Sequence, residues 1–103
     1  MGAAVVSGPV AGPVHVTARF RARAGQAGAL IPLLRALAEH SRDEPGCLSY
    51  DYLQSGDLFT SVEIWATPEA ERAHNQTEFL DAQLVKILPL LDGKPEVIRW
   101  QRI

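Results

Sequence analysis

The order of hydrophobic periods along this 103-residue chain predicts an α+β domain. It is a ferredoxin-like βαββαβ subunit, whose four-stranded antiparallel sheet carries its helices on one face. Three observations predict it. Residues 14–21 alternate strictly between two faces. Two more strand-like runs, 47–54 and 58–65, flank the polar link Ser55-Gly56-Asp57, a hairpin signal. Helical spacing fills 26–42 and 67–91, one stretch before that hairpin and one after it.

Residues 1–13 hold three glycines and two prolines among mostly Ala and Val, and read as a loose tail outside a domain of 14–103. In the first strand Val14, Val16, Ala18 and Phe20 point one way, and His15, Thr17, Arg19 and Arg21 the other. Ala24-Gly25 ends it. Over 26–42, Ala27, Leu30, Ile31, Leu34, Leu37, Ala38 and Ser41 make one apolar stripe at steps of three and four. Pro32 lies inside that stretch and cannot donate to the Gly28 carbonyl. The helix therefore either starts late, near Leu30, or starts at Gln26 and bends around Pro32. Glu44-Pro45-Gly46 stops it, because a proline disfavours helical geometry in the residue before it.

In the hairpin, Leu48, Tyr50 and Tyr52 share one face of the first strand. Phe59, Ser61, Glu63 and Trp65 share one face of the second, and Leu58, Thr60, Val62 and Ile64 the other. Thr67-Pro68-Glu69 starts a helix: Thr67 caps, Pro68 suits the first position and Glu69 complements the dipole. Ala66, Ala70, Ala73, His74 and Thr77 are expected on its inner face. A second helical stretch over 79–91 ends at Asp92-Gly93, and residues 94–103 form the last strand. The sheet face away from the helices is too apolar to be left in water, so a tail or a second subunit must cover it; of the two, a homodimer with two sheets face to face is expected.

Composition excludes several function classes. Ten Lys plus Arg against twelve Asp plus Glu leave net −2, no field for nucleic acid or anionic lipid. No apolar run approaches the roughly 20 residues of a membrane span. One cysteine excludes an internal disulfide and a Cys-based zinc cage. No Lys or Arg precedes Arg19, a poor start for a signal peptide, so a cytoplasmic location is expected. There is no Ser/His/Asp order, phosphate loop or dinucleotide fingerprint, and three scattered histidines predict no metal site.

Several segments together resemble the antibiotic biosynthesis monooxygenase family of dimeric α+β barrel proteins. They are the early strand with Ala24-Gly25, then Ser41-Arg42-Asp43-Glu44-Pro45-Gly46-Cys47-Leu48-Ser49-Tyr50, then Val62-Glu63-Ile64-Trp65, then Pro68-Glu69-Ala70 and Ala73-His74, with Thr77 and Phe79 after them. The resemblance covers about 14–103. It implies a ferredoxin-like subunit and a homodimer. Some members oxygenate electron-rich aromatics such as anthrones and quinols with O₂ and neither metal nor flavin; others degrade haem or act on signal molecules. Haem-degrading members carry an Asn on the first strand and a characteristic Trp and haem-ligating His on the second helical segment; this chain has Thr17 on the strand, and Gln83 or a nearby position where the His is expected. Anthrone-oxidising members carry a Trp with a nearby Asn; here Trp65 has Ser61 near it, and the one Asn is Asn75, beside His74.

The resemblance falls on His74, whose imidazole suits a general base or a clamp on a substrate hydroxyl. Glu63 is the second catalytic candidate, as an acid/base group or as the group that orients His74; if buried it needs a partner. An ion pair with Arg19, Arg21, Arg99 or Arg102 is its structural alternative. Trp65, Phe59 and Phe79 are candidate apolar walls, and Tyr50, Tyr52 and Asn75 candidate polar contacts to a substrate. Cys47 reads as a small buried residue, His40 as solvent-facing and His15 as facing the dimer. The expected function is a cofactor-independent monooxygenase using O₂ on a flat hydroxylated aromatic. Two alternatives are an acid/base enzyme of isomerase type working without O₂ and a non-catalytic dimeric ligand binder.

Overall fold

The computed structural model describes residues 12–103, so all but the last two residues of the N-terminal tail lie outside it. The elements are β1 (Val14–Arg21), α1 (Ala27–Arg42), β2 (Cys47–Ser55), β3 (Leu58–Trp65), α2 (Pro68–His74), α3 (Glu78–Ile87), a 3₁₀ turn over Leu88–Leu90 and β4 (Glu96–Trp100). The sheet order is β2-β3-β1-β4, with every neighbouring pair antiparallel. This is the expected ferredoxin-like α+β architecture, with the second helical region split in two.

Alternation decides which residues meet the helices. Val14, Val16 and Phe20 of β1 and Phe59, Ser61, Glu63 and Trp65 of β3 are buried, while their neighbours are not. On α1 the buried stripe is Leu30, Leu34, Leu37, Ala38 and Ser41, within the spacing read from the sequence. The helix begins at Ala27 and runs through Pro32. Pro32 and Gly28 both sit on its exposed side, so water can bond the carbonyl that Pro32 leaves without a donor.

Four expectations are corrected. Leu48 does not share the Tyr50 face: the register shifts between Cys47 and Ser49, and Leu48 is 59% exposed. On α2 the buried residues are Glu71 and His74, and Ala73 faces out. The stretch over 79–91 is a helix beginning at Glu78, capped by Thr77 through Leu80 N at 3.2 Å, and giving way to the 3₁₀ turn that contains Pro89. The last strand is shorter than 94–103, because Trp100 already pairs with His15 and β1 has little left to offer beyond it.

The start of α2 follows its sequence signal. Thr67 Oγ1 accepts from Ala70 N at 3.1 Å, a cap worth about 1 kcal/mol. Below the helices the described residues form two core clusters. One holds Phe20, Ala22, Leu30, Leu34, Leu37, Phe59, Ile87 and Leu91. The other holds Val14, Val16, Ala38, Tyr50 and Trp65. On the opposite sheet face Leu58, Thr60, Val62 and Ile64 are half-buried and Trp100 is exposed.

Candidate functional site

A cavity of about 340 Å³ opens between the sheet and the helices. Val16, Phe20, Leu34, Leu37, Leu84 and Ile87 are among its apolar walls. Its polar side is made by Tyr50, Tyr52, Glu63, Glu71, His74, Asn75 and Arg99. A mostly apolar hollow with a few convergent polar groups is the usual form of a small-molecule site.

His74, at the end of α2, is 4% exposed. Its Nδ1 lies 2.7 Å from Glu44 Oε1, and its Nε2 has no hydrogen-bond partner among the described residues. The ring packs on Trp65, with centroids 4.6 Å apart, and near Tyr50 at 5.5 Å. The Glu44 carboxylate comes from the turn after α1. Its Oε2 is 3.4 Å from His40 Nε2, an ion-pair distance without hydrogen-bond geometry. His40 is partly exposed, as expected at the helix end, but stacks on Phe79 at 4.0 Å.

Glu63 has neither an arginine partner nor a bond to His74. The Ser61 hydroxyl donates to its Oε2 at 2.6 Å and Trp65 Nε1 donates to its Oε1 at 2.9 Å. Ser61 Oγ in turn accepts from Ala18 N at 2.9 Å. Period two is the reason: residues two apart on a strand project side by side, so Glu63 finds partners on its own strand.

Arg99, weighed in the sequence as a partner for Glu63, instead grips Glu71. Its Nε donates to both carboxylate oxygens at 2.9 Å, and its Nη2 is 2.7 Å from Oε2. Asn75 Nδ2 adds a bond at 3.2 Å. Burial alone would raise the Glu71 carboxyl, but the Arg99 and Asn75 hydrogen bonds outweigh it and hold it below its ordinary 4.5. Arg19 pairs with Glu96 at the surface.

Tyr50 and Tyr52 share one hydrogen bond between their hydroxyls, 3.1 Å long. Burial pushes both phenols well above their ordinary 10.0. For Tyr50 the nearby Tyr52 and Glu63 push the same way. Both rings are thus neutral donors over the physiological range. Burial, and after it the Glu44 charge, also raises the Cys47 thiol, the opposite of what a nucleophile needs.

Of the residues singled out in the sequence, the cavity brings together His74, Glu63, Tyr50, Tyr52 and Asn75. Trp65 is fully buried behind His74 and its N–H is used by Glu63. Phe59 packs in the apolar cluster against Phe20, and Phe79 lies against His40. Glu44 and Glu71 were not singled out. Glu71 lies three residues before His74, a spacing that puts both on one helix face and was there to be read. Glu44 carried no such signal, since its partner is 30 residues away. Among the described residues no group of three His, Cys, Asp or Glu side chains could hold a metal ion.

The family model for antibiotic biosynthesis monooxygenase matches residues 13–83. Among solved structures, PA3566 from Pseudomonas aeruginosa is 31% identical with a TM-score of 0.80, over 93% of this chain and 99% of that one. Rv0793 from Mycobacterium tuberculosis is 29% identical with a TM-score of 0.82, over 88% and 95% of the two chains. Among curated proteins, the uncharacterized protein sll1783 of Synechocystis is 29% identical over 94 residues. That match covers 88% of this chain and 63% of the relative, so the chain spans less than two thirds of the relative's length.

Proposed function

The chain belongs to the antibiotic biosynthesis monooxygenase family, and from that premise we propose that it oxidises a flat, hydroxylated aromatic of the anthrone or quinol type with O₂, using no resident metal or flavin. One observation carries the reading: a buried imidazole with one nitrogen unbonded among the described residues stands on the wall of an otherwise largely apolar cavity. His74 Nε2 is the base. It takes the proton from the acidic C–H or O–H of the substrate, which leaves an electron-rich anion. For a methylene substrate the anion reduces O₂ and combines with it. Loss of water then leaves a carbonyl, so one oxygen atom enters the product and the other departs with both substrate hydrogens. Tyr50 and Tyr52 supply the hydroxyl that steadies the substrate oxygen. The apolar walls keep water from the anion.

The same reading seats a second copy of the chain on the outer sheet face, where Leu58, Val62, Ile64 and Trp100 are left incompletely covered. The protein should then sediment as two chains, and a single-chain mass would remove this part.

The test is O₂ uptake by chelator-treated protein with a panel of anthrones and hydroquinones. Saturable uptake with a quinone or hydroxylated product is expected. His74→Ala should lower turnover by about 10²-fold or more, as removal of a general base does, with the fold intact. Unchanged turnover in that variant would take His74 out of the mechanism. Turnover that persists without O₂ would replace oxygenation by acid/base chemistry at the same cavity.

A further inference from the structure

The turn after α1 does more than reverse the chain. Glu44 is 12% exposed, and one of its oxygens has no hydrogen bond among the described residues. A carboxylate buried for stability alone is normally satisfied at both oxygens. What it does have is one short bond, 2.7 Å, to His74 Nδ1.

The backbone around it is built for that bond. Gly46 has φ +81°, and a Cβ placed there would come within 2.5 Å of Ala70 Cβ. Only glycine lets this turn lie flat against α2. Ala70 is one helical turn before His74, so the Gly46–Ala70 contact and the Glu44–His74 bond are successive contacts of the same two segments. Ala66 N closes the arrangement by donating to Gly46 O at 2.7 Å.

We propose that Glu44 is a positioning residue for His74: it holds the proton on Nδ1 and thereby keeps Nε2 as the proton acceptor. The proposal rests on His74 being the base. The other titratable or charged groups around this imidazole are His40 of α1 beyond Glu44, Tyr50 of β2, Glu63 of β3, Glu71 of α2 and, through Glu71, Arg99 of β4. None of the others forms a hydrogen bond to the ring.

Long-range ¹H–¹⁵N spectra of the full-length chain, labelled at histidine, read the tautomer of each neutral ring. The His74 signal is assigned by its loss in His74→Ala. The wild type should show His74 protonated at Nδ1. Glu44→Gln should lose that single form and give the Nε2–H tautomer or a mixture, and Glu44→Asp should restore the Nδ1–H form in part. With a substrate in hand, Glu44→Gln should lower kcat by roughly 10-fold or more with KM little changed, because the group acts on the base and not on the substrate. A wild-type His74 protonated at Nε2, or the same tautomer in wild type and Glu44→Gln, overturns the proposal. If Glu44→Gln does not fold, the wild-type tautomer decides. If His74→Ala leaves turnover unchanged while the tautomer follows Glu44 as stated, the base reading fails and the positioning bond stands.

Discussion

The sheet presents one continuous face to the helices, yet its two ends are built from different chemistry. At the Phe20–Phe59 end the rings stack at 5.8 Å, and Leu30, Leu34, Leu37, Ile87 and Leu91 close over them. Every buried residue of that cluster is apolar. At the Trp65 end, Val14, Val16 and Ala38 share the interior with Glu63, His74 and Ser61, each polar and at least nine-tenths buried. Burying such groups costs several kcal/mol unless they are bonded, and here they bond one another or Glu44. The apolar end stabilises the subunit. The polar end draws on that stability to hold a buried imidazole and its neighbours in place. The cavity lies across both, with Phe20, Leu34 and Leu37 from one and Val16 and Tyr50 from the other.

The largest effect that could break this comparison is at the apolar end. Phe59 is 2% exposed, and Phe59→Ala should cost about 3–5 kcal/mol of unfolding free energy by denaturant titration. A cost under about 1 kcal/mol would mean that this cluster does not carry the fold.

The polar end should show a smaller, pH-dependent effect at Glu71. Its carboxyl sits below its ordinary 4.5 in the folded chain, so its contribution is present above that value and is lost as pH falls through the folded one. Glu71→Gln should therefore cost about 1 kcal/mol near neutral pH, a modest figure because Arg99 is half exposed and screened. The gap between wild type and variant should close in acid, as read by urea unfolding at neutral pH and again near pH 3. A gap that persists in acid would mean the Arg99 pair contributes nothing.

The smallest effect is invisible at neutral pH. The chain has two tyrosines, both raised by burial. Their neutral forms favour the folded state up to the ordinary phenol value of 10.0, a contribution lost as pH rises from there toward the higher folded-state value. Tyrosinate absorbance should stay absent near pH 10 and appear only as the chain unfolds. Ionisation at the ordinary value with the fold intact would place a hydroxyl in water and open the polar end.

Much of this organisation was legible beforehand. β1 and β3 were bounded by alternation together with the Ala24-Gly25 break and the Ser55-Gly56-Asp57 link, and the Thr67 cap by one residue type before a proline. The grouping of Ser61, Glu63 and Trp65 followed from the period of a strand, and their mutual bonds follow from that grouping. The misreadings share one cause. Leu48 left its expected face because a bulge, set by how β2 pairs with β3, interrupts the period. Ala73 yielded to Glu71 because α2 turns toward Arg99 of β4, a strand 28 residues further on. His74 could be singled out from its motif, but not its partner.

The sequence by itself determined the element order, the faces of β1 and β3 and the capped start of α2, because each is a property of residues a few positions apart, tied by backbone geometry; the family resemblance of its motif is what pointed to His74. Only the tertiary structure decided that Glu44 meets His74, that Arg99 meets Glu71 rather than Glu63, and that Tyr50 and Tyr52 share one cavity with His74, Glu71 and Arg99. The two ion pairs join residues 30 and 28 apart. Their distances are set by how closely the Gly46 turn packs on Ala70 and by the register of β4 on β1, which no local pattern encodes.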